Sequence, residues 1–119
     1  MNRNFRTEMT LLEALWSFPN GPLARLRRGE ISAEAVDQVV SALEQIEVAP
    51  DDRELDRLMV ALLWRMPLFV QDQRDRVLES GGDEETYQRL RGRVVAEVER
   101  LLGLGHVDHD VSKWYGEGA

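Results

Sequence analysis

The chain has 119 residues, enough for one domain with its own core, and its 43% hydrophobic and 31% charged residues match a folded chain rather than a disordered one. The absence of cysteine excludes disulfides, thiolate metal sites and cysteine nucleophiles. A net charge of -7 opposes binding to phosphate backbones, so no nucleic-acid partner is expected and a basic protein partner is favoured. The N-terminus has no unbroken apolar core of the kind a signal peptide needs, and the apolar run around Leu62 is interrupted by Arg65 and Pro67. A cytoplasmic protein with no membrane association is the expectation.

The first helix is expected over about Thr7 to Phe18. Thr10 with Glu13 matches a capping box, and Thr7 is a competing N-cap one turn earlier. Pro19, Asn20, Gly21 and Pro22 then stop the helix. A short second helix follows from Leu23 to Arg28, with Pro22 leading it and Gly29 as a left-handed stop. Its Arg25, Arg27 and Arg28 form the one local basic cluster, and the dipole at a helix C-terminus is a sufficient reason for them.

Ser32 caps a third helix from about Ala33 to Glu47, whose Val36, Val39, Val40, Leu43 and Ile46 repeat with helical spacing. Its outer row of Glu34, Asp37, Ser41 and Glu44 contains no lysine or arginine. With Glu47, Asp51, Asp52, Glu54 and Asp56 it places eight acids against three arginines between Ile31 and Met66. A concentrated acidic surface of this kind steers a basic partner.

Asp51 and Glu54 form a capping box for the most apolar stretch, Leu55 to Val70. Leu55, Leu58, Met59, Leu62, Leu63 and Met66 make one helical face, and Val60, Ala61 and Trp64 make the other side apolar as well. A helix apolar nearly all round must be covered on most sides, so it is expected at the centre of the bundle, with a kink or short break at Pro67 and helix resuming to about Leu78. Asp83 caps the last helix. Tyr87, Leu90, Val94, Val98, Leu101 and Leu102 line its inner face, Arg89, Arg93, Glu97 and Arg100 remain for solvent, and Gly103 ends it.

The expected fold is therefore all-α, a single-domain bundle of about five helices over residues 1–103, with a Gly-rich tail over residues 104–119. In that tail His106, Asp108, His109 and Asp110 carry ligand chemistry suited to zinc, manganese or iron, yet neighbouring residues seldom converge on one ion without help from a rigid element. A solvated turn accounts for them more simply. Trp114 and Tyr115 would either anchor a partner or fold back over an uncovered edge. No phosphate loop, dinucleotide fingerprint or nucleophile elbow occurs, and no catalytic residue or cofactor is assigned.

The leading functional expectation is a non-enzymatic protein-protein interaction module, an inhibitor or immunity-type protein that binds a basic toxin or nuclease. Glu34, Asp37, Glu44, Glu47, Asp51, Asp52, Trp114 and Tyr115 would form its partner surface. The alternatives are a helical-bundle enzyme or metal protein built on His106, Asp108 and His109, and a small dimeric regulatory module pairing through Trp16, Trp64 or the tail aromatics.

Overall fold

A computed structural model describes residues 5–48 and 55–103, and every regular element among them is helical. The protein is an all-α single domain. The elements are α1 (Arg6–Trp16), α2 (Pro22–Arg27), α3 (Ala33–Gln45), α4 (Arg57–Asp72), α5 (Arg74–Glu79) and α6 (Glu84–Leu102). No helix among the described residues is long and apolar enough to cross a membrane.

Most helix ends follow local chemistry. The Ser32 side chain accepts from the Ala35 backbone N–H at 3.0 Å, and Asp83 accepts from the Thr86 backbone N–H at 2.8 Å. Pro22 opens α2, where its missing N–H is no loss, while Gly29 (φ 83°) and Gly103 (φ 73°) take the left-handed conformation after α2 and α6. The first helix departs from expectation. Thr7 and Thr10 lie inside it, Phe5 is the N-cap, and the Thr10 hydroxyl donates to the Arg6 carbonyl oxygen at 2.9 Å instead of capping.

The apolar stretch begins as helix at Arg57, with Asp56 accepting from the N–H groups of Leu58 and Met59 at 2.9 and 3.1 Å. Asp51 and Glu54, the expected capping pair, lie outside the described residues. The helix runs through Pro67, and its break falls at Gln73. There the Val70 carbonyl oxygen accepts from both the Gln73 N–H (3.2 Å) and the buried Tyr87 hydroxyl (2.8 Å), which closes the ladder and separates α5 as a sixth helix.

The core is assembled on α6, which packs along α3 and α4 and buries Tyr87, Leu90, Val94, Val98 and Leu101. Against them lie Val36, Val39 and Leu43 of α3 and Met59, Leu63, Met66 and Val70 of α4; Leu12, Leu15, Leu23 and Leu26 complete the cluster from α1 and α2. Helix α4 is thus not enclosed as its composition implies. The body is 17 Å deep along its shortest axis, about two helix layers at the usual 8–10 Å spacing, so α4 buries one face and leaves the other open.

Gly82→Ala lowers stability in equilibrium urea unfolding by about 2 kcal/mol, because a Cβ there presses on Val77 Cγ1 and comes within 2.9 Å of the Val77 carbonyl oxygen; Gly92→Ala, in the exposed middle of α6 with open space around it, raises stability by about 1 kcal/mol. At the start of α6, hydrogen bonds from the Thr86 backbone and hydroxyl hold the Asp83 carboxyl below its ordinary value, and the Arg74 guanidinium does the same for Glu84. A carboxylate with a lowered folded-state value stabilises the fold above its unfolded value, near pH 4, and loses that contribution as pH falls through the folded value. The double variant Asp83→Asn, Glu84→Gln should therefore show a shallower loss of stability on acidification than the parent, measured by urea midpoints across an acid series.

Candidate functional site

The acidic row of α3 is present but not unopposed. Arg93 Nη2 lies 2.8 Å from Glu44 Oε1, and Arg89 Nη2 lies 3.8 Å from Asp37 Oδ1, both reaching across from α6. Arg93 also meets Glu97 at 3.4 Å, and Arg100 meets the other Glu97 oxygen at 2.8 Å while donating to the Leu43 carbonyl oxygen at 3.1 Å. Glu97, expected in solvent, is consequently only 12% exposed in its side chain. The row that lacks a cation in its own helix receives cations from the neighbouring one.

Glu34 and Glu47 are exposed on the same element and its end. Asp51, Asp52, Trp114 and Tyr115 fall outside the described residues, as do His106, Asp108 and His109. No group of three or more metal-ligating side chains occurs among the described residues.

The side of the molecule that the sequence reading enclosed carries the larger feature. Leu58 (55% exposed), Trp64 (60%) and Leu68 (58%) stand in solvent, although they belong to the helix expected at the centre. At 100° per residue Leu58, Ala61, Trp64, Arg65 and Leu68 fall within one arc of about 120°, opposite the buried row of Met59, Leu63, Met66 and Val70. Trp64, Pro67 and Leu68 also meet Val95, Val98 and Glu99 of α6 in a shallow groove of about 240 Å³. Arg57 and Asp72, both exposed, close the two ends of this helix, and neither has an ion-pair partner among the described residues.

No protein-family model matches the chain, and no curated protein or solved structure matches it either. Three large apolar side chains are thus exposed on one side of one helix, with charged Arg57, Arg65 and Asp72 beside them.

The open face of α4 was not found in the sequence because a helix apolar on all sides carries no mark of which side its own chain covers. The α3 ion pairs were missed because their arginines lie about fifty residues downstream. Both members of each α3–α6 pair are about half exposed or more, so each contributes little. Arg93→Ala should shift the urea-unfolding free energy by less than about 1 kcal/mol, and the difference should shrink further in high salt.

Proposed function

We propose that this chain is a non-enzymatic protein-interaction module that docks through the open face of α4, with a second copy of itself as the partner. The observation that carries this reading is the exposure of Leu58, Trp64 and Leu68 on one side of a helix whose opposite side is already core. A helix apolar all round is stable in water only when most of it is covered, and the described residues cover one side of it.

The distribution of charge favours a copy over a basic partner. In an antiparallel pairing about a two-fold axis, the same patch serves both subunits, and each residue meets the one that mirrors it about the helix centre. For α4 that centre falls between Trp64 and Arg65. Arg57 then lies opposite Asp72 of the second copy and Ala61 opposite Leu68 of the second copy, while the two Trp64–Arg65 pairs sit at the axis. Two opposite charges meet at each end, and a small side chain faces a large one. The inhibitor or immunity-type reading leans on the acidic row of α3, where Asp37 and Glu44 already have arginine partners within the chain. It keeps the support of the net charge and of exposed Glu34 and Glu47.

Light scattering coupled to size-exclusion chromatography tests the pairing. The parent should elute with about twice the 13.7 kDa chain mass, and Trp64→Glu, at a site already open to solvent, should give a folded monomer. Arg57→Asp should weaken the dimer by placing two carboxylates face to face at each end, and adding Asp72→Arg should restore it. A parent that stays monomeric at high concentration, or a mass that Trp64→Glu leaves unchanged, overturns self-association through α4; salt-sensitive capture by a basic protein in that case would favour the acidic-inhibitor reading.

A further inference from the structure

On the flank of the body, where α1, α2, α4 and α5 meet, a cleft of about 500 Å³ is lined by Trp16, Phe18 and Phe69 and by the four arginines Arg27, Arg28, Arg65 and Arg76. Its volume is within the range of small-ligand sites, about 300–1,000 Å³. Among the described residues no carboxylate lines it, in a chain that has 22 acids and a net charge of -7.

The four cations are held differently. Arg76 Nη1 donates to the Arg27 carbonyl oxygen at 2.6 Å and to Gln73 Oε1 at 3.4 Å, which ties α5 to α2 and fixes that guanidinium at the wall. The Arg65 guanidinium carbon stands 5.9 Å from the centre of the Trp16 ring, and Trp16 meets Phe69 edge to face with centroids 4.9 Å apart. Arg28 is paired with Glu30 at 2.9 Å. Arg27 has no carboxylate partner among the described residues, and neither do Arg65 and Arg76.

Two further features lack an explanation in folding. Phe18 is 83% exposed at the cleft, an aromatic ring left in water. The Trp16 indole Nε1 is shielded from solvent and has no hydrogen-bond partner among the described residues, a rare condition for a buried donor.

We propose that this cleft binds a small anion bearing a planar aromatic ring, of the nucleoside-phosphate kind. Guanidinium groups recognise phosphate oxygens with paired, charge-assisted hydrogen bonds, and Phe18 with the Arg65–Trp16 stack gives a planar ring an apolar platform. Confinement to one cleft, and the chain's overall negative charge, select a mononucleotide-sized ligand over a nucleic-acid strand. The cleft shares Arg65 with the pairing surface proposed for α4, but Arg27 and Phe18, whose variants test it, lie outside that surface.

Isothermal titration calorimetry with ADP, adenosine, inorganic pyrophosphate and a short oligothymidylate tests it, using the full chain and the variants Arg27→Glu and Phe18→Ala. Both substitutions change exposed side chains, and unchanged circular dichroism confirms that they fold. ADP should bind, with adenosine and pyrophosphate each at least about tenfold weaker, and each variant should weaken ADP by about tenfold or more, the scale of one lost charge-assisted contact or stacking platform. No heat with ADP at millimolar concentration overturns the proposal. So does an affinity that neither variant changes, or pyrophosphate binding as tightly as ADP, which would make it an anion site without ring recognition. Tighter binding of the oligothymidylate than of ADP would overturn the small-ligand assignment in favour of a strand.

Discussion

Burial of one face of α6 between α3 and α4 is the constraint on which the other features rest. Tyr87, Leu90, Val94, Val98 and Leu101 are removed from water together, and their spacing sets the line along which both neighbours must lie. The Tyr87 hydroxyl then does a second task. It donates to the Val70 carbonyl oxygen at 2.8 Å where α4 gives way to α5, and α5 in turn carries Arg76 to the Arg27 carbonyl oxygen. A core contact is thereby linked in three steps to the wall of the arginine cleft.

The same packing explains why the molecule has two unlike surfaces beside α4. With α6 and α1 on its inner side, α4 leaves Leu58, Trp64 and Leu68 uncovered among the described residues, while its Arg65 and Phe69 turn toward α1 and α2. The apolar open face and the basic-aromatic cleft are adjoining consequences of one helix with too much apolar surface for a two-layer body. The acidic surface of α3, by contrast, is drawn into pairing with α6 and serves the fold's exterior.

Features governed by nearby residues were legible in the sequence. Ser32 and Asp83 cap where their spacing implied, Gly29 and Gly103 terminate helices, and the inner faces of α3 and α6 follow their apolar periods. Thr7 and Thr10 misled because a threonine inside a helix can satisfy its hydroxyl on the carbonyl four residues back, as Thr10 does. Pro67 marked a place where a helix can break, yet the break falls beside the hydrogen bond that Tyr87, twenty residues later, makes to the Val70 carbonyl oxygen. The position of α4 was misjudged for a related reason: periodicity reports that two faces are apolar and is silent on how many neighbours arrive. The cleft draws Trp16, Arg27, Arg65 and Arg76 from four segments, and no spacing within any one of them signals the others.

The cations that line the cleft are all guanidinium groups, planar forks whose paired N–H donors match the oxygens of an anion. The rest of the chain carries an excess of carboxylates, and its field is the opposite of the cleft's. Salt screens that distant repulsion far more than it weakens contacts made within the cleft. Charges remote from the lining therefore bear on how fast an anion arrives more than on how firmly it is held.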